Sequence, residues 1–343
     1  MRIRHTPAFG RQAGLSLIEL MVAILLSSLL LLGVVQIFSN SQASSRTNTE
    51  MARLQESSRV ALEILKRDFR RLGYQGCASP SDVSITNSFR MFPRDAITSQ
   101  ASDCSQSATL TCEAANTGSD RVEIVYASPV NGRATSISSS SITFTSTNGN
   151  LRVNNGNGQE FLITDCERVA TFTGNIAAPT DLGANASPRW RYTISSISGA
   201  TVNGNAGPAP SFNGIAEGAR VHPILTASYS IRSDNTNNNR STLYKNNDAL
   251  IADVDNFQIL YGINTGNQIR WINASSLTDA LRAQVSQLQI SLVMSSPDTP
   301  SITSSTASYP IANLGTNLTW TPPTSDQNRL RRAYNAIIDV RNR

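Results

Sequence analysis

The strongest constraint on the fold is an apolar run that extends from Leu15 to Phe38 near the start of the chain. At about 1.5 Å per helical residue, a run of this length spans the roughly 30 Å hydrocarbon core of a bilayer. Three arginines precede the run, and the next basic residue is Arg46. Positive charge on the near side alone predicts a cytoplasmic N-terminus and an exported remainder. We therefore expect residues 15–38 to cross a membrane once, because the run is also longer than the core of a secretory signal.

Glu19 is the one acidic residue in this run, where a carboxylate is costly to place in hydrocarbon. A tolerated charge close to the cytoplasmic surface would account for its position. However, the sequence Gly14-Leu15-Ser16-Leu17-Ile18-Glu19, behind a short basic leader, closely resembles the class III signal of type IV prepilins and pseudopilins. The resemblance implies that prepilin peptidase removes residues 1–14 by cutting after Gly14 and that Leu15 becomes the N-methylated terminus. It also implies that Glu19 pairs with an opposite charge on an adjacent subunit during assembly.

The helix is expected to continue past the membrane, because neither proline nor glycine occurs between Gly33 and Gly73. Apolar and small residues recur at three-four spacing along one face: Met51, Leu54, Ser58, Ala61, Leu65, Phe69 and Leu72. This pattern predicts an amphipathic helix over residues 39–73 that ends at Gly73. Such a stripe favours a scaffold that faces the core of a head domain, and a coiled-coil partner site is the alternative.

The four cysteines predict disulfide bonds in an oxidising compartment. Cys77, Cys104, Cys112 and Cys166 all follow the membrane segment, and no CxxC motif is present. Four cysteines allow three pairings, and the sequence alone does not choose among them. We favour Cys104–Cys112, which closes a short loop, together with Cys77–Cys166, which ties the helix end to the sheet.

Residues 74–343 change to a period of two, which predicts an antiparallel sheet with one buried face. Alternating segments such as Val122-Ile124-Tyr126 and Leu288-Ile290-Leu292-Met294 are separated by stretches rich in Asn and Gly. The fold class is therefore α+β, with a long N-terminal helix packed on a large antiparallel β-sheet head. One elaborated head domain is expected, and a split near Gly214–Gly218 is the alternative.

A search for catalytic or metal-binding motifs in the head finds little. No nucleophile elbow, P-loop, HExxH or dinucleotide fingerprint is present. Asp253 and Asp255 share a strand face, but we interpret them as a solvated strand entry rather than a carboxylate pair. His222 is interpreted as a hydrogen-bonding residue at a strand end. We expect no enzyme activity, no metal and no cofactor.

The charge distribution argues against a nucleic-acid partner. Without the leader arginines the chain carries 26 basic and 24 acidic residues, so its net charge falls from +5 to +2. The basic C-terminus is the exception, with Arg329, Arg331, Arg332, Arg341 and Arg343. Contact with DNA or lipid headgroups is one interpretation, and edge-strand arginines that prevent aggregation are the one we favour.

Several head segments resemble the PilW family of minor pilins: Gly73-Tyr74-Gln75-Gly76-Cys77, Ile163-Thr164-Asp165-Cys166, residues 254–262 and the ending Arg341-Asn342-Arg343. The resemblance implies a minor pilin that is inserted in the inner membrane with a periplasmic head and then joins the pilus fibre at the cell surface. The resemblance also implies that such a subunit helps to prime assembly near the tip. The implied partners are prepilin peptidase, other minor pilins, the major pilin and the inner-membrane assembly platform, with a tip adhesin as a further candidate.

Two alternatives stay open at this point, one in the same class of function and one in a different class. The segment Ala61–Leu72, which contains Arg67-Asp68-Phe69, also resembles pseudopilin J of type II secretion systems. A different class is a periplasmic binding protein, an enzyme or a DNA-uptake component that uses a pilin-like anchor.

Overall fold

One long helix and eighteen antiparallel strands make up the part of the chain that the computed structural model describes. The described residues are 16–74, 76–77, 92–94, 119–152, 156–202, 205–206, 212, 214–234, 240–266, 268–273, 276–277, 281, 284–297, 307–313, 317–322 and 326–340. This architecture confirms the expected α+β class, with the helix at the N-terminus and the sheets after it.

Helix α1 runs without a break from Leu17 to Phe69, so the membrane-length and amphipathic halves form one rod of about 80 Å. The helix ends three residues earlier than the apolar stripe suggested. Hydrogen-bonded turns follow, and Gly73 takes a left-handed φ of 68°, which residues with a side chain rarely adopt. There its N–H donates to the carbonyl of Val125, which directs the chain towards the head.

The strands are numbered in chain order. They are β1 Phe92–Arg94, β2 Arg121–Ala127, β3 Gly132–Ile137, β4 Ser141–Ser146, β5 Gln159–Thr164, β6 Val169–Ile176, β7 Thr180–Asp181, β8 Trp190–Val202, β9 Asn205–Ala206, β10 Arg220–Asp234, β11 Arg240–Lys245, β12 Asp248–Ala252, β13 Val254–Asn264, β14 Ile269–Ile272, β15 Val285–Ser295, β16 Tyr309–Asn313, β17 Asn317–Trp320 and β18 Arg331–Asp339.

The first core lies between the helix and two groups of strands. One group has the order β1-β2-β10-β11-β12 and the other has the order β14-β13-β15-β18. Leu65 and Phe69 of the helix are fully buried in one cluster with Tyr229, Phe257 and residues of β15 and β18. Phe69 and Tyr229 pack ring against ring, with centroids 5.4 Å apart. This core attaches the helix to the head.

The expectation of one buried face is wrong for the β13–β15 pair, which is buried along nearly its whole length. The helix covers one face of this pair. On the other face Val293 packs against Ile311 and Trp320 of the β16–β17 hairpin. The alternating pattern of a strand indicates one buried face only. The second face of this pair is buried by a hairpin that lies later in the chain.

The second core is the inside of a closed six-stranded barrel. Antiparallel pairings connect β10 to β3, β3 to β4, β4 to β8, β8 to β6, β6 to β5 and β5 back to β10. Aromatic residues fill the interior, including the stacked pairs Phe144–Tyr192 and Phe161–Phe172. Strand β10 belongs to both cores, because its first residues close the barrel and its later residues pair with β2 and β11.

Candidate assembly site

The apolar half of α1 is the largest exposed apolar surface among the described residues. Its side chains from Leu17 to Phe38 are all exposed to solvent in the described part of the chain, and the segment is long and apolar enough to cross a membrane. Exposed apolar patches of this extent mark membrane or protein contact surfaces. The segment is therefore built to be covered by lipid or by other subunits.

Glu19 lies in the first turn of this segment, and within the described part of the chain it has no ion-pair or hydrogen-bond partner. Its backbone N–H donates to the carbonyl of Ser16, which lies at the N-cap position. A carboxylate near a helix N-terminus is favoured by the helix dipole, but this alone does not offset its transfer into hydrocarbon. Gly14 and Leu15, the expected cleavage site, lie outside the described residues.

The other half of α1 is attached to the head by apolar and ionic contacts. Leu54, Ala61, Leu65 and Phe69 are buried, as the stripe predicted, and buried Glu50 and Asp68 are additions that sequence reasoning missed. Asp68 is 1% exposed and accepts hydrogen bonds from the Tyr229 hydroxyl, at 2.7 Å, and from the Lys245 ammonium. This contact connects the helix to β10 and β11.

The environment of Asp68 keeps it ionised. Burial alone would raise the pKa of Asp68, but hydrogen bonds from Lys245 and Tyr229 and the charge of Lys245 together hold it below its usual value. Burial and the neighbouring carboxylate raise the pKa of Tyr229, so its hydroxyl remains a donor. The helix end is therefore held by a carboxylate that needs its negative charge.

We expect the stability contributed by Asp68 to be lost in acid. The pKa of Asp68 is lower in the folded state than in the unfolded chain, where it is about 3.9. The stability that Asp68 contributes is therefore complete above about pH 3.9 and is lost as the pH falls through the pKa of the folded state. The difference in unfolding free energy between wild type and Asp68→Asn should therefore shrink from pH 6 to pH 2. Urea titrations at several pH values measure it, with exposed Glu63→Gln as control. A difference that stays constant with pH would contradict this role.

Asp253 and Asp255 belong to a buried ion cluster, so their interpretation as a solvated strand entry is wrong. Asp255 is 5% exposed; its Oδ2 accepts from Arg331 Nε at 2.6 Å and its Oδ1 accepts from the Ser295 hydroxyl at 3.0 Å. Asp253 Oδ1 accepts from Arg329 at 2.8 Å and from Arg240 at 2.9 Å.

The same cluster corrects the interpretation of the C-terminal arginines. Arg329 and Arg331 are buried, and both also contact Asp326, so three carboxylates balance three guanidinium groups. Neither arginine is available to block an edge or to contact DNA. Arg332 is exposed and approaches Met51 of the helix, and residues 341–343 lie outside the described residues.

A disulfide joins Cys77, just after the helix, to Cys166 in the turn between β5 and β6. This is the pairing we favoured, and it ties the helix end to the barrel; Cys104 and Cys112 lie outside the described residues.

Next to this disulfide, His222 lies within β10 rather than at a strand end and is fully buried. Its Nδ1 donates to the carbonyl of Ser128 at 2.8 Å. Burial lowers the pKa of His222, so the imidazole is neutral and serves as a structural hydrogen-bond donor.

The described residues contain no group of three or more His, Cys, Asp or Glu side chains that could hold a metal ion. The described residues therefore provide an exposed apolar surface on the first half of α1, with the Glu19 carboxylate unpaired there. The second half of α1 attaches this surface to the head.

Comparison with known proteins gives two family matches. Residues 215–342 match the family described as type IV pilus-assembly protein W, and residues 10–35 match the prokaryotic N-terminal methylation motif. Among solved structures, a type IV-like pilin from Thermus thermophilus is 16% identical over 54% of this chain and 85% of that one, but its TM-score of 0.22 carries no argument. No curated protein matches the chain significantly. The first match covers β10–β18 and the second covers the start of the apolar helix.

Proposed function

On the premise that the chain is a type IV pilus minor pilin of the PilW family, which the two family matches support, we propose that it helps to prime assembly of the pilus fibre near its tip. It acts as a structural subunit and not as an enzyme. The observation that carries the proposal is the exposed apolar half of α1, with its single carboxylate, continuous with a helix half that is buried in the head.

The proposed sequence of events starts at the membrane. Prepilin peptidase cuts after Gly14, and the new α-amino group of Leu15 is methylated. The apolar half of α1 holds the subunit in the inner membrane with its head in the periplasm. The assembly platform then moves the subunit into contact with other minor pilins and with the major pilin. Nothing in this route requires a cofactor.

Glu19 provides the selectivity of that contact. Its carboxylate and the α-amino group of Leu15 are both unfavourable in hydrocarbon when they are alone. Pairing each with the opposite charge on a neighbouring subunit removes this cost, while a subunit out of register would bury both charges unpaired, at several kcal/mol. The pairing therefore sets the axial position of the subunit.

We expect Glu19→Ala to be inserted and cleaved normally but to lose its association with other pilins. Pull-down of minor pilins from detergent extracts and a count of surface pili measure the two effects. Glu56→Ala, which removes an exposed carboxylate from the same helix outside the apolar half, is the matched control and should behave as wild type. Full piliation and full pull-down with Glu19→Ala would contradict the proposed pairing.

A further inference from the structure

The barrel has one side that packs on the rest of the head and one side that is free. On the packed side, Leu162 and Val169 form a small apolar cluster with Ala127, Ile224 and Tyr74, next to the Cys77–Cys166 disulfide. The opposite side consists of β3, β4 and β8, whose outward residues are exposed or half-buried. The family match to residues 215–342 begins after these three strands, so this surface is a feature of the chain outside that match.

Three arginines lie in one cross-strand row on this free side. The register places Arg220 of β10 opposite Arg133 of β3, Arg133 opposite Thr145 of β4, and Thr145 opposite Arg191 of β8. The four strands are neighbours about 4.8 Å apart, so the row is about 14 Å long. All three arginines are exposed, because the residues beside them, such as Ala134 and Tyr192, point into the barrel. We call this set the arginine row.

The arginine row lacks charge compensation. None of its three guanidinium groups has an ion-pair or hydrogen-bond partner among the described residues, whereas Arg189, on the same barrel, forms two hydrogen bonds with Asp181 at 2.6 and 2.9 Å. Like charges directly opposite each other on adjacent strands destabilise a sheet. The Arg220–Arg133 pair therefore opposes folding locally, and an external anion would remove that cost.

The Arg189–Asp181 ion pair lies on one side of the row, and neutral hydrogen-bonding side chains lie on the other. The next row towards the far end of the strands is Ser136, Thr143 and Thr193, in register on β3, β4 and β8. Guanidinium groups bind phosphate oxygens bidentately, and hydroxyl groups donate to phosphate oxygens as well. Among the described residues of this side no aromatic ring is exposed, so it offers no platform on which sugars or unpaired bases would stack.

The geometry points to the arginine row as a binding surface for the phosphate backbone of duplex DNA. Contacts of this kind position a duplex without reading its sequence, which suits a surface that carries arginines and hydroxyls alone. The near-zero net charge of the chain argued against a nucleic-acid partner, and the buried C-terminal arginines Arg329 and Arg331 do not provide a site. The arginine row is locally positive although the net charge of the whole chain is close to zero. Binding of DNA through three arginines is weak and depends strongly on salt.

The test is fluorescence anisotropy of a labelled duplex DNA titrated with the full-length chain in non-ionic detergent micelles. Three phosphate contacts predict a slope of about −2.7 for log K against log salt. Affinity should therefore fall about 40-fold between about 50 and 200 mM salt. Two unrelated duplex sequences should give the same affinity, because only the backbone is contacted.

Removing one phosphate contact should make the slope less steep, at about −1.8, so that affinity falls only about 12-fold over the same salt step. We expect this result for each of the single replacements Arg133→Gln, Arg191→Gln and Arg220→Gln. Arg189→Gln removes the same charge from the same barrel and should leave the slope at the wild-type value, because Arg189 is already paired with Asp181. Melting temperatures of all four variants check that the fold is kept. The absence of binding at low salt, or a slope that the three variants leave unchanged, would overturn the assignment. Binding of a uronic-acid polysaccharide through the same arginines without binding of DNA would also overturn it.

Discussion

Asp255→Ala should destabilise the head by about 3–5 kcal/mol, because it removes the more buried of the two carboxylates that pair with the buried guanidinium of Arg331 and leaves only Asp326. Arg331 is 5% exposed, and its Nε donates to Asp255 at 2.6 Å. Burial raises the pKa of Asp255, while the charges of Arg331 and Arg329 oppose that rise. The alanine variant keeps both arginines buried, and the carboxylates of Asp253 and Asp326 then offset the cost of that burial only in part.

Urea unfolding of the full-length chain in detergent, followed by tryptophan fluorescence, measures this loss. Trp320 is a local probe, since the Arg331 guanidinium lies 5.7 Å from the centre of its ring. Asp248→Ala, an exposed aspartate on β12, is the matched control and should change stability by less than about 0.5 kcal/mol. A similarly small change for Asp255→Ala would show that the cluster does not hold the sheet and the 326–331 segment together.

The double variant Cys77→Ser, Cys166→Ser should lose about 4–5 kcal/mol, because the two cysteines are 89 residues apart and their disulfide closes a long loop. The loss comes mainly from the larger freedom of the unfolded chain. In the folded state the same bond fixes the end of α1 to the barrel, so we also expect faster hydrogen exchange around Tyr74 and Val125.

Reduction provides the control for this prediction. Without reductant, wild type and double variant differ by the disulfide alone, because any pairing of the other two cysteines is the same in both. With reductant, the difference between them should vanish. A difference that persists after reduction would mean that the serines disturb packing and that the cross-link itself contributes little.

The parts of the fold that depend on neighbouring residues were predictable from the sequence. The apolar run, the three-four stripe and Gly73 predict the continuous helix and place its end within a few residues of Phe69, because each signal lies close to the element that it specifies. Alternation likewise predicts β2 and β15. The favoured Cys77–Cys166 pairing also matches the structure, although the sequence alone left three pairings open.

The parts that depend on distant residues were not predictable. Asp255 and Arg331 are 76 residues apart, and nothing in either local sequence indicates that the two are paired and buried. In the sequence Asp68 cannot be distinguished from the solvated charged residues of the same helix. Only the structure shows that Tyr229 and Lys245 lie beside it. Barrel closure depends on the β10–β5 and β4–β8 registers, which connect strands that are not consecutive. A hydrophobic pattern shows which residues are buried but not which partner buries them.

Mass spectrometry and N-terminal sequencing of the chain recovered from membranes test the central claim most directly. Cleavage after Gly14 removes 14 of the 343 residues and leaves 329, beginning with an N-methylated Leu15. This product should disappear in a strain without prepilin peptidase and in a variant with a bulky residue in place of Gly14. Recovery of the wild-type chain with its leader intact in assembled pili, or with an unmethylated terminus at another position, would contradict the account.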